Sequence, residues 1–404
     1  MPEGDRRRWR VLALLASAEL LGMSLWFVGN AIAPSLRARW LLSGGEIGWL
    51  TTAVQLGFVA GTALAAMLNL ADIFPSRFYF AASALLAALA NAAFGAAPSF
   101  AAALGWRFAT GACLAGVYPP AMKMAATWFR QGRGLAIGTI VAALTVGKAT
   151  PYLLHALPAA TPAEVVLAAS GAAALAAALV GFGYRDGPYP FVRRPFSWRL
   201  AGSVARHRET RLATAGYLGH MWELYAMWTW VPAYLTASAI ASGSGVGSRA
   251  LDLAGFAVIG VGGLGCLWGG WAAGRIGYRA VVIRAMLASG ACALAAGPAF
   301  RAPFPLVFAL TLVWGFFVVA DSAQFSALVT EVAPPHAVGT ALTLQTSIGF
   351  LLTIVTIQLV PALVSVAGWR WTVGVLALGP AAGIAAIRRL GPAHDTGAAG
   401  RAAG

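Results

Sequence analysis

Apolar runs of about bilayer length recur along almost the whole chain, parted by short polar or Gly/Pro-bearing breaks. A helix needs about twenty predominantly apolar residues to cross a bilayer core, and in lipid it keeps its backbone groups bonded internally. On that pattern the chain is expected to be an all-α integral membrane protein of about twelve transmembrane helices. The expected spans lie at approximately 10–34, 46–69, 78–97, 101–126, 134–157, 163–184, 211–237, 251–273, 280–300, 304–330, 338–364 and 369–388.

The longest polar interruption runs from Arg185 to about Arg211 and holds seven arginines and three prolines. It divides the chain into an N-terminal six-helix bundle (1–184), a cytoplasmic linker (185–210), a C-terminal six-helix bundle (211–390) and a short flexible tail (391–404). The halves look related. The segment GVYPPAMKMAATWFRQGRG, from Gly116 to Gly134, has a weaker counterpart ending PPHAVG at Gly339. ELLGMSLWF near the start of the first half likewise matches YLGHMWELY in the second. Two six-span repeats flanking a midplane site describe a large class of secondary transporters.

Composition sharpens this picture. The chain is 59% hydrophobic and only 10% charged, against about 25% charged in soluble proteins. A net charge of +15 would suit a nucleic-acid binder, but its placement argues otherwise. With both termini cytoplasmic, twenty basic residues fall on the inner side. Only Arg37, Arg39, Arg249, Arg301 and Arg370 fall in outer loops or at their edges. That asymmetry is the positive-inside rule of a multi-pass cell-membrane protein, with the basic surplus meeting anionic lipid heads. The apolar run after RRRWR continues far past a signal-peptide core, so an uncleaved first helix is expected. Cys113, Cys266 and Cys292 are isolated, with no disulfide framework or metal spacing. No nucleophile–base constellation appears either, so no enzyme, cofactor or metal is expected.

Several sequence motifs resemble those of the major facilitator superfamily of transporters. Between spans 2 and 3 the chain reads LNLADIFPSR, keeping Leu70, Asp72 and Arg77 of the family signature, with Leu68 and Pro75 where glycines usually stand. The second-half copy, GGWAAGRIGYR, keeps Gly270, Gly277 and Arg279, while Gly274 replaces the acid. Read from the residues themselves, each is expected to be a tight cytoplasmic turn with charge pairs that latch one conformation. In span 4, Arg107, Gly111 and Ala115 follow the family's arginine-and-glycine pattern, with small residues on one helix face permitting close approach. The exporter signature expected in span 5 is largely absent, and Lys148 stands at its proline position. Trp128, Phe129, Arg133 and Gly134 resemble the junction of the nitrate, cyanate and organophosphate porters.

Charges inside the membrane are functional candidates because they are costly to place there. Only two lysines occur against twenty-six arginines, both in apolar stretches. Lys123 lies near the inner end of span 4, where its stem reaches the interface. Lys148 lies too deep for that, and with Arg107 it is expected to bind substrate or to pair helices. Glu19, Glu223 and Asp321 are the candidate proton carriers or fixed partners of those bases, and His220 either joins a relay or packs structurally. Trp26, Asn30, Tyr152, Trp222, Tyr225, Trp228, Gln324 and Gln345 are the candidate lining, the aromatic members being equally explicable as packing. The run from Gly260 to Gly265, GVGGLG, sits in an apolar span with no strand before it, so close helix packing explains it better than a dinucleotide loop. The expected protein is a monomeric transporter of a small, anionic solute, coupled to protons or another ion and working by alternating access. An exporter of amphipathic compounds and a non-transporting sensor or scaffold are the alternatives.

Overall fold

The computed structural model describes residues 3–130, 132–189 and 198–391. Its described residues are mostly helical, without strands. They cluster into two compact units, Met1–Arg193 with Gly247–Gly260, and Arg194–Val246 with Val261–Gly404.

In the first unit, α1 (Glu3–Met23) is followed by a break at residues 24–27 and by the short α2 (Val28–Ala31) and α3 (Ala33–Trp40). The next hairpin is α4 (Gly44–Met67), α5 (Leu70–Ile73) and α6 (Ser76–Gly95). Ser43 and Glu46 form a capping box that starts α4 by bonding otherwise orphaned N–H groups. The fourth span is broken into α7 (Phe100–Leu114) and α8 (Tyr118–Ala126), then come α9 (Arg133–His155) and α10 (Pro162–Gly183). Thr161 and Glu164 repeat the capping box at the start of α10.

The second unit holds α11 (Trp198–Arg206) and the long α12 (Arg208–Ala241). The next helix, α13 (Ser248–Gly260), packs on α9 and belongs to the first unit. Beyond Val261 the chain continues as α14 (Gly262–Ile276) and α15 (Tyr278–Ala296). A span broken at Asp321 follows, α16 (Phe304–Ala320) and α17 (Ser322–Val332), then α18 (Val338–Ala367), α19 (Trp369–Thr372) and α20 (Leu378–Arg388).

Ten helices among the described residues are long and apolar enough to cross a membrane. The two expected spans outside that set are α1 and α12. They carry arginines at one end and buried polar groups within, Glu19 in α1 and His220 and Glu223 in α12, which lowers their average hydropathy. Large apolar side chains such as Leu86, Leu89, Leu167 and Phe182 are exposed, the surface a lipid-facing helix presents.

The repeat suspected in the sequence is a repeat of packing. In the first unit α4 packs on α7, α6 on α10, and α1 on α9 and α10. In the second, α14 packs on α16, α15 on α20, and α12 on α18 and α20, the same pairings six spans later. One device recurs in both. A Cβ on Gly57 or Gly61 of α4 would overlap the carbonyl oxygens of Phe108 and Ala112. A Cβ on Gly265 or Gly269 of α14 would overlap those of Phe316 and Ala320. Glycines four residues apart therefore bring backbones into contact in both halves, and within the glycine run near residue 260 it is Gly265 that takes part in this packing.

Candidate functional site

Each unit encloses buried polar side chains among its described residues. In the first, Arg107 on α7 is fully buried and its fork meets the break after α1. Nη1 donates to the Leu25 carbonyl at 2.9 Å and to Asn91 Oδ1 at 3.3 Å, Nη2 donates to the Trp26 carbonyl, and Nε reaches the Leu50 carbonyl at 3.4 Å. The Phe94 ring lies 5.3 Å from the guanidinium carbon. The break takes the Leu25 and Trp26 carbonyls out of the helix ladder, and the guanidinium supplies the donors they lack. Close packing beside it depends on Gly111, where a Cβ would overlap the Val54 carbonyl.

A second group lies where α1 meets α9. Glu19 and Lys148 are fully buried and are each other's electrostatic partners. Neither Glu19 oxygen accepts a hydrogen bond among the described residues. Lys148 Nζ sits 4.0 Å from the centre of the Trp26 ring, close enough for cation–π attraction. Gly147 makes this approach feasible, since a Cβ there would overlap the Leu20 carbonyl. Asn30 Oδ1 accepts from Thr51 Oγ1 at 2.7 Å. Tyr152 is buried one turn beyond Lys148.

In the second unit Glu223 Oε1 accepts from Trp314 Nε1 and Oε2 from Ser289 Oγ, both at 2.8 Å. One turn earlier on α12, His220 Nδ1 lies 2.8 Å from Asp321 Oδ1. That oxygen receives no aligned hydrogen bond, so the contact is one of charge and distance. His220 Nε2 lies 2.8 Å from Ser322 Oγ, and Ser322 is half-buried where His220 and Asp321 are buried. Asp321 stands at the junction of α16 and α17, a discontinuity in the span. Interrupted helices at membrane depth are tolerated where the freed backbone groups are bonded within the protein or line a cavity.

The remaining sequence candidates are dispersed. Trp222 Nε1 donates to the Val375 carbonyl at 3.2 Å. Tyr225 packs against Trp228 and Phe350, with ring centres 5.4 and 5.2 Å away. Gln324 and Gln345 are buried, each with a side-chain carbonyl that accepts no hydrogen bond among the described residues. Arg279 donates from Nη1 to the Leu390 carbonyl at 3.0 Å and from Nη2 to the Arg388 carbonyl at 2.8 Å, closing the end of α20. Arg77 lies 4.4 Å from the Phe78 ring. The side chains of Asp72 and Arg133 lie outside the described residues. Lys123 is half-buried in the last turn of α8. Trp128 donates to the Arg185 carbonyl and Phe129 packs against Trp9, so this junction anchors the start of α1.

Sequence reasoning passed over Ser289, Trp314, Ser322 and Asn91, which complete these clusters from other helices. It also passed over His155 Nδ1 and Asp252 Oδ2, 2.8 Å apart between α9 and α13. The one signal in the chain was spacing: Lys148, Tyr152 and His155 stand four and three residues apart, on one helix face.

The sequence profile of the Major Facilitator Superfamily matches residues 14–265, and the chain belongs to that family. It is therefore a multi-pass membrane protein and a secondary transporter, not an enzyme. Its fold is similar to that of a bacterial homologue of the human lysosomal transporter Spinster, in an inward-facing, unoccupied conformation. The TM-score is 0.69 at 15% identity, over 99% of this chain and 95% of that one. The occupied form of that homologue gives a TM-score of 0.67 at 16% identity, over 97% and 94%. The nucleoside transporter NupG gives 0.71 at 13% identity, over 94% of this chain and 99% of that one. No curated protein sequence matches.

Proposed function

We propose that this transporter moves a small organic or inorganic anion across the cytoplasmic membrane, coupled to protons. The Glu19–Lys148 pair carries this reading. While Glu19 is ionised it neutralises Lys148. When Glu19 takes up a proton, the buried ammonium requires another anion, and a solute carboxylate or oxyanion supplies it. Proton and anion then bind together and the charge of the site stays constant. Arg107, committed to three backbone carbonyls, contributes by holding the Trp26 backbone in place. In the second unit Asp321, with His220, is the second proton-binding candidate, and Glu223 is held by Ser289 and Trp314. The arginine asymmetry supports termini in the cytoplasm, and the Arg185–Arg211 segment supports a linker between two six-helix bundles.

The test is uptake of labelled small anions into proteoliposomes under an imposed pH gradient. Acid-outside uptake is expected in wild type, loss of uptake in Lys148→Ala, and loss of gradient dependence in Glu19→Gln. Absence of anion uptake in wild type, or wild-type uptake in Lys148→Ala, overturns the reading. The aromatic group of Tyr225, Trp228 and Phe350 favours a second reading, export of amphipathic compounds. Broad resistance to lipophilic cations on overexpression would establish that alternative.

A further inference from the structure

We propose that Lys148, Tyr152 and His155 form a proton path along one face of α9, leading from the His155–Asp252 pair to the carboxylate of Glu19. The proposal rests on the proton-coupled reading above and gives the buried acid a route to solvent. Glu19 cannot exchange a proton with water directly, because it is fully buried. Its electrostatic partner is Lys148. One turn further along α9 comes Tyr152, 2% exposed, whose hydroxyl is the next group on that face able both to accept and to give a proton. His155 Nδ1, three residues further along α9, lies 2.8 Å from Asp252 Oδ2 on α13. His155 and Asp252 are the accessible end, with 21% and 20% of their side chains exposed. Side chains three and four residues apart on a helix have Cβ atoms about 5–6 Å apart, so Lys148, Tyr152 and His155 are consecutive neighbours.

The groups facing this stripe from neighbouring helices fit a single route. Among the described residues α1 contributes Glu19 in its span and arginines at its start, α13 contributes Asp252 with the exposed Arg249 one turn before it, and α2 carries no titratable side chain. Glu164 of α10 is committed to the Thr161 cap, while α8 carries Tyr118 in its first turn and Lys123 in its last. The transfer conserves every relay group. Lys148 gives a proton to Glu19 and takes one from the Tyr152 hydroxyl. Tyr152 is refilled from the His155 imidazolium, and His155 from hydronium or protonated buffer in solvent. Only Glu19 ends with an added hydrogen.

Infrared difference spectroscopy after a pH jump, on the full-length protein in detergent with buffer protons as the probe, tests this. A carboxyl C=O band that grows on acidification and disappears in Glu19→Gln identifies the acid. In Tyr152→Phe the band is expected at its wild-type amplitude but about a hundredfold slower. His155→Gln, changed at the partly exposed end, is expected to slow it similarly. A Glu19 band that appears at the wild-type rate in both variants overturns the path and leaves proton binding at Glu19 intact. Absence of any Glu19 band in wild type overturns the path together with the proton reading of that residue.

Discussion

Trp314 Nε1 donates a 2.8 Å hydrogen bond to Glu223 Oε1 from the adjacent helix, while Ser289 Oγ holds the other oxygen. This carboxyl is tied to two helices and stabilises the bundle that encloses it. Trp314→Phe is expected to destabilise the protein by about 1–3 kcal/mol, the cost of leaving a buried acceptor with one donor fewer. The change should be much smaller in a Glu223→Gln background. Thermal or denaturant unfolding of the four proteins in a double-mutant cycle measures the difference, and an additive cycle would refute the bond's contribution.

Arg107 satisfies carbonyls in the break after α1 and on α4 with a planar fork that lysine cannot reproduce. Arg107→Lys is therefore expected to lower stability nearly as much as Arg107→Ala, by about 3 kcal/mol or more for a broken buried network. Melting followed by size-exclusion chromatography of detergent extracts checks this. A fully stable Arg107→Lys protein that fails to bind anions would return the residue to the substrate site.

The glycine contacts give a graded prediction. Gly111→Ala and Gly265→Ala place a Cβ against the carbonyls of Val54 and Phe316, and about 1–3 kcal/mol of destabilisation is expected. Gly105→Ala and Gly171→Ala meet nothing within 4 Å. Being helical, they should be neutral or gain up to about 1 kcal/mol. Equal effects at the four sites would disprove the close-packing account.

Arg279 closes the end of α20 through two backbone carbonyls. Arg279→Ala is expected to fray that last turn at a cost of about 0.3–1 kcal/mol. Hydrogen exchange should accelerate at residues 384–390 and stay unchanged in α12. A global acceleration would instead point to a wider latch.

Much of the architecture was legible because hydrophobicity is a local property. Runs near bilayer length located the spans, and the glycine motifs predicted close approach before any partner was known. The helix breaks at 24–27 and at Asp321 were not legible. Neither carries a proline, and both depend on groups from distant helices, Arg107 and His220, that satisfy or face the interrupted segment.

The sequence by itself therefore determined that this is a twelve-span, two-repeat membrane protein with a handful of costly charges inside it. It identified Glu19, Arg107, Lys148, Glu223 and Asp321 as residues that must have partners, because an isolated charge does not persist in an apolar bundle. Only the tertiary structure decided what the partners are: backbone carbonyls for Arg107, an indole and a serine for Glu223, an imidazole for Asp321, and Glu19 for Lys148. The reason is geometric. The cost of burying a charge depends on its residue type and depth, whereas its compensation comes from residues that meet only when the helices pack.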